Sequence, residues 1–268
     1  MAIQTRTLLV RAPGSTVKPA SAPTMTQIDV EPIQGWSGPT PSQSPPPPEP
    51  SLEEQLIAAR DSLMARSRVF LAFAHAHSSW RQGAYFKGVT INGPVANGPP
   101  GCLKGPSIAG RMNQYHDIQN LTAMETDIYE AIRDGVAEAF ELWRASVKVP
   151  MLAWYPMFAA FPGPQAPPAP NLPTPLSALT SMSPDVLVPP NLKARIDLKL
   201  PQALRHPIIS GFLNALTINI SSLLLGWIAT QIVTGVLGKG PVPTFAPPYV
   251  PVGPVLGGSV IENPPIGI

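Results

Sequence analysis

The chain has 268 residues, long enough for one large or two ordinary domains, and its 37 prolines are its dominant feature, about 14% against a usual ~5%. Charged residues make up only 13% and apolar ones 44%, a balance that excludes a highly charged disordered chain and equally a monomer with a full charged coat. A net charge of +2 leaves no global field to recruit nucleic acid or an anionic membrane, and the single cysteine, Cys102, excludes a disulfide framework or a multi-cysteine metal site.

Residues 1–50 carry no signal-peptide pattern, because the apolar run Leu8-Leu9-Val10 ends at Arg11. From Pro32 the segment turns rich in Pro, Ser and Gly and culminates in Pro45-Pro46-Pro47-Pro48. With few amide donors it prefers an extended polyproline conformation and forms no core, so it reads as an arm that docks on a neighbouring subunit. Ser51 then opens a helix, since Glu54 three residues on completes a capping box. Leu52, Leu56, Leu63, Val69, Phe70 and Phe73 carry its spacing to about Trp80, and Gln82-Gly83 stops it. His75 and His77 lie two apart on this helix and point to different sides, which is poor for a shared metal.

Residues 84–111 read as a connecting loop, with one strand-like run at Val89-Thr90-Ile91 among Asn-Gly and Gly-Pro-Pro-Gly turns. The loop lacks the Gly-Lys-Ser/Thr ending of a phosphate-binding loop, and Cys102 reads as a buried structural thiol. A second helix is predicted from Met112 to Val147 on the spacing of Ile118, Leu121, Ile128, Ile132, Val136, Phe140 and Trp143. Residues 53–111 hold seven bases and three acids, whereas residues 112–148 hold seven acids and three bases. A basic first helix beside an acidic second one is the resulting expectation. The carboxylates Glu125, Asp127, Glu130, Asp134, Glu138 and Glu141 read as a solvated or subunit-facing stripe, since none belongs to a Glu-x-x-His motif of the kind that builds di-metal sites.

Pro150 ends the second helix, and residues 150–190 mix prolines with Trp154, Tyr155, Met157, Phe158 and Phe161, a composition suited to lying along another protein surface. The last third repeats this plan. At an offset of 84 residues Trp143 matches Trp227, Ala145 matches Ala229, Val149 matches Val233 and Phe161 matches Phe245, and three prolines keep the same spacing. An internal duplication of a helix with an extended tail is expected. Pro207–Gly238 contains no charged residue and is long enough to span a bilayer. Its Asn, Ser, Thr and Gln residues dilute it, so a helix buried by oligomer contacts is preferred to a transmembrane one.

These readings predict a mainly α fold of long helices joined to extended proline-rich arms, divided at 1–50, 51–105, 106–190 and 191–268. Trp143, Trp154, Phe161, Trp227, Phe245 and Tyr249 are its candidate interface residues. No nucleophile, metal constellation or cofactor motif is legible, so a non-enzymatic protein without catalytic, metal or cofactor residues is expected. The segment from Gly238 to Gly258, Gly-Lys-Gly-Pro-Val-Pro-Thr-Phe-Ala-Pro-Pro-Tyr-Val-Pro-Val-Gly-Pro-Val-Leu-Gly-Gly, resembles helix-plus-Gly/Pro modules in structural proteins of tailed bacteriophage virions and contractile injection particles. That resemblance implies a homo-oligomer ring or lattice in a virion neck, tail, baseplate or capsid, with other virion structural proteins as partners. A membrane-anchored protein with its span near 207–238 is the alternative.

Overall fold

Helical order begins where the sequence places it. Ser51 caps α1 (Leu52–Met64): the Glu54 amide donates to the Ser51 hydroxyl at 3.3 Å, and the Ser51 amide donates to the Glu54 carboxylate at 2.8 Å. The computed structural model describes residues 48–154, 160–179, 184–246, 250–251, 253–262 and Ile268. The proline-rich arm as far as residue 47, and Tyr155, Met157, Phe158 and Tyr249, lie outside the described residues. Glu49 to Ile268 form one unit.

The expected single first helix is two. α1 and α2 (Arg68–Gln82) meet at a short 3-10 turn, Ala65–Ser67, and Ser67 takes a left-handed conformation at φ 53°. That conformation breaks the helical hydrogen-bond ladder, and each half then buries its own apolar side: Leu56, Ala59 and Leu63 from α1, and Val69, Ala72, Phe73, Ala76, His77 and Trp80 from α2.

The predicted loop at 84–111 is a strand region. β1 (Tyr85–Phe86) pairs antiparallel with β4 (Leu103–Lys104), while β2 (Thr90–Asn92) and β3 (Val95–Gly98) form a hairpin about Gly93 at φ 63°. The second helix also differs from expectation. A five-residue helix, α3 (Ile108–Met112), is capped by Ser107, and α4 (Ala123–Ser146) starts only after Thr122, whose capping box with Glu125 sets the start.

Beyond α4 the chain gives β5 (Val149–Ala153), β6 (Gln165–Pro170) and β7 (Thr174–Pro175), then α5 (Pro189–Lys199), which opens on prolines at its first turn. α6 (Pro207–Thr230) is shorter than the uncharged stretch that predicted it, because β8 (Ile232–Val233) and β9 (Leu237–Pro241) take up the remainder. β10 (Phe245–Ala246), β11 (Val250–Pro251) and β12 (Gly258–Val260) complete the described strands.

The mainly α expectation is therefore wrong. About 54% of the described residues are helical and 19% lie in strands, and β5, β3, β2, β12, β9 and β6 form, in that order, one six-stranded antiparallel sheet. Proline-rich segments pair here because they lie at its edges, where an amide on the outer side needs no strand partner. β6 pairs Gln165 with Pro241 and Pro170 with Leu237, and its register slips between Ala166 and Ala169, where Pro167 and Pro168 stand together. The other edge, β5, carries Pro150 and a bulge at Met151, whose φ is 55° and whose amide donates to the Asn97 side chain at 3.1 Å. Residues 150–170 thus complete the chain's own sheet where they are described.

α1 and α2 with β2 and β3, α3 and α4 with β5 and β6, and α5 and α6 with β9 and β12 build this one sheet and its helices in turn, and the expected boundary at residue 190 falls in the first turn of α5. The 84-residue offset reappears in the structure: α6 begins and ends 84 residues after α4. The Phe161 amide donates to the Pro251 carbonyl, and Phe245 stands opposite Pro251 in the β10–β11 pair, so both matched phenylalanines meet the same strand.

Buried Asn171 fastens the two later segments. Its Nδ2 donates to the Val233 carbonyl at 3.1 Å and to the Leu172 carbonyl at 2.7 Å, and its Oδ1 accepts from the Val236 amide at 3.0 Å. Asn171→Leu leaves the Val236 amide and Val233 carbonyl without this partner, and we expect a loss of about 1–3 kcal/mol in denaturant unfolding.

Candidate functional site

Trp143 lies three residues before the end of α4, Trp227 three before the end of α6, and Trp80 two before the end of α2. The three meet in one aromatic junction. The ring of Trp227 stands edge-on to Trp143 at 5.5 Å and to Trp80 at 5.8 Å, and Phe140 bridges Trp80 at 4.9 Å and Trp143 at 5.3 Å. Edge-to-face pairs of this kind contribute about 0.5–1.5 kcal/mol each beyond the area they bury. Trp143 and Trp227 are inside the chain's own core, as are Trp154 and Phe161.

Trp154 donates from Nε1 to the Ala169 carbonyl at 3.0 Å and covers β9 at Gly238, where any Cβ would strike its ring. These four anchor the chain from within. Phe245 lies in β10 with its side chain outside the described residues, and Tyr249 lies outside them altogether. Trp80 carries the same signal as the other two, an indole near a helix end, and was legible in the sequence by that rule.

His77 completes the junction. Its ring lies 4.7 Å from Trp227, 6.1 Å from Phe73 and 6.3 Å from Phe140, and its Nε2 is buried without a hydrogen-bond partner. Burial among these rings, with Arg81 adding repulsion, pushes its pKa down to about 4. His75, two residues away, is exposed and lies 5.8 Å from the Tyr115 ring, so the two histidines diverge as their spacing predicts.

α6 carries no charged residue, and its two faces differ. Its inner face buries Ile209, Phe212, Leu213, Leu216, Thr217, Ile220, Ser221, Leu224, Trp227 and Ile228, packing against α1, α2 and α5. Buried hydroxyls on that face are satisfied, Ser221 by the Leu187 carbonyl at 2.6 Å and Thr217 by the Leu213 carbonyl at 2.8 Å. The outer face presents Gly211, Asn214, Ala215, Ile218, Ser222, Gly226 and Ala229 to solvent, with Ile218 53% exposed. Gly211 and Gly226 have open space where a side chain would stand. Among the described residues α6 is the one helix long and apolar enough to cross a membrane, and its inner face belongs to the core.

The charges are arranged partly as expected, since α1 packs against α4 and the Arg68 charge acts on the Glu125 carboxyl, but most of the pairing lies elsewhere. The acidic stripe of α4 meets α5: Arg195 and Lys199 reach the two oxygens of Glu138 at 2.8 and 2.9 Å, and hold its carboxyl below the usual range. Arg133 pairs with Glu130 and Asp134 on α4 itself, and Arg144 pairs with Glu141. Arg68 and Arg81 of α2 donate to the Asp117 carbonyl and to the backbone oxygen of Ile268.

Cys102 is buried, its thiol donates to the Val147 carbonyl at 3.7 Å, and burial pushes its pKa up to about 11, which suppresses the thiolate. Among the described residues no three His, Cys, Asp or Glu side chains gather as a metal site. A cavity of about 590 Å³ lies between α5 and the start of α6, where Lys193, Asp197, Arg205, His206, Ser210 and Asn214 line it. Lys193 and Asp197 neutralise each other there at 2.6 Å. No family model, curated protein or solved structure matches this sequence.

Proposed function

We propose that this chain is a non-enzymatic structural subunit of a large assembly, and that the assembly is a bacteriophage virion in which it contacts copies of itself and other structural proteins. The observation that carries the assembly reading is the outer face of α6. A solvent-facing helix of 24 residues ordinarily bears charge on its wet side, and this one bears none. Close approach of a second helix suits that face, because Gly211 and Gly226 leave room for a neighbour's backbone. The sheet is a poor alternative surface for association. Prolines stand in both of its edge strands, which blunts the addition of a further strand. The virion setting draws on the likeness of the Gly238–Gly258 segment to phage structural modules.

The test is the mass of the native particle measured without detergent, for the natural sequence and for Gly226→Leu. We expect a particle of many copies from the former and a smaller species from the latter. A Cβ at Gly226 would meet no other part of the chain within 4 Å, and the residue sits in a helix, so leucine there should leave the chain's own stability unchanged or raise it by up to about 1 kcal/mol. A monomeric natural protein overturns the reading, and a requirement for detergent favours the membrane alternative. Deleting residues 1–50 should preserve the helical circular dichroism and weaken the particle, and an unchanged particle yield would remove the arm from the contact.

A further inference from the structure

We propose that His77 is an acid-operated latch on the junction of α2, α4 and α6. The placement of one imidazole at the point where these helices end carries the inference. His77 is nearly fully buried at 4% exposure, and α4 and α6 present aromatic rings to it, Phe140 and Trp227. Its Nε2 has no partner that could take a proton's charge. On α2 the charge that acts on it is Arg81, one turn further on, and that charge is of the same sign; among the described residues no carboxylate acts on it.

What the imidazole touches is connected to the rest of the clasp. Arg81 donates from Nε to the backbone oxygen of Ile268 at 2.9 Å and from Nη2 to Oε1 of Gln231 at 2.8 Å. That same oxygen accepts from the Trp227 indole at 3.2 Å. An imidazolium at position 77 therefore faces buried rings on one side and a guanidinium on the other, and the arrangement relieves both by parting α2 from the Trp227 end of α6.

Folding and proton binding compete at this residue. A free histidine takes its proton near 6.5 and the latched one near 4, so the open arrangement binds a proton on the order of a few hundred-fold more tightly. The latch is at full strength above pH 6.5 and weakens as the pH falls from about 6.5 to about 4. A proton is the whole effector, and no other ligand is required.

The experiment is an acid titration of the full chain, following the histidine ring resonances by NMR and the tryptophan near-ultraviolet circular dichroism together. We expect His77 to stay neutral to below pH 5, and its protonation to coincide with loss of the tryptophan signal. In His77→Phe, which keeps a ring beside Trp227, that loss should move to lower pH by about one unit or more. Should His77→Phe fail to fold, His77→Leu provides the same comparison. Loss at the same pH in the natural protein and the variant overturns the latch. So does an unchanged tryptophan signal in the natural protein once its His77 resonance has titrated.

Discussion

Trp227→Ala is expected to destabilise the chain by about 3–5 kcal/mol, a large part of the total stability of an ordinary domain. Trp227 is the member of the junction with the widest set of partners. Its ring contacts His77, Trp80 and Trp143, and its indole nitrogen donates to Gln231, which in turn takes a hydrogen bond from Arg81. Truncation opens a cavity where three helices end, and it frees the Gln231 oxygen from one of its donors. Denaturant unfolding by circular dichroism measures the loss. A cost below about 1 kcal/mol would show that the junction collapses onto the space and that Trp227 does not hold it.

Gly135→Val should cost about 3 kcal/mol by the opposite mechanism, overpacking. Gly135 sits on the buried face of α4 where α5 crosses it, and a Cβ there would come within 2.8 Å of the Ile196 Cα and 2.9 Å of its amide nitrogen. Backbone cannot rotate out of the way as a side chain can. The two helices must therefore separate, and separation also loosens the pairing of Glu138 with Arg195 and Lys199. Gly135→Ala should cost less, about 1–2 kcal/mol, in the same unfolding assay. The contrast with Gly226→Leu is informative, since both glycines lie inside 24-residue helices and only one is closed in by a neighbour. Equal costs at the two positions would mean that helix propensity, and not the α4–α5 crossing, sets the effect.

α4 and α6 share a length and an 84-residue displacement and place Trp143 and Trp227 in contact with each other, but the tails behind them pair differently, β5 with β3 and β8 with β7, so the expected repeat of a helix with an extended tail does not hold as one module. Four of the large aromatic residues expected at an interface, Trp143, Trp154, Phe161 and Trp227, are buried in the chain's own core, and the exposed side of α6 carries small and polar residues with Ile218. Residue type marks how much burial a side chain favours, without saying whether the same chain or a neighbour supplies the cover.

Features that depend on neighbours within one turn, or on plain side-chain chemistry, are written in the amino-acid order. The Ser51–Glu54 box starts α1, the runs of Ile, Val and Phe make α4, and the uncharged stretch makes α6 as far as Thr230. The divergence of His75 and His77 and the inertness of Cys102 follow from spacing and side-chain type in the same way. The sheet, the break at Ser67 and the partners of the charges arise from long-range packing instead. Gln165-Ala-Pro-Pro-Ala-Pro170 has no strand alternation and reads as polyproline, and it becomes β6 because β9 supplies hydrogen bonds on one side while the other needs none. Neither Ser67, at φ 53°, nor its neighbours favour the left-handed region by residue type, and the turn there goes with α1 packing against α4 and α2 against α3. Glu138 meets α5 because Gly135 lets the α5 backbone approach, a contact between Glu138 and Arg195 across 57 residues that no periodicity could announce.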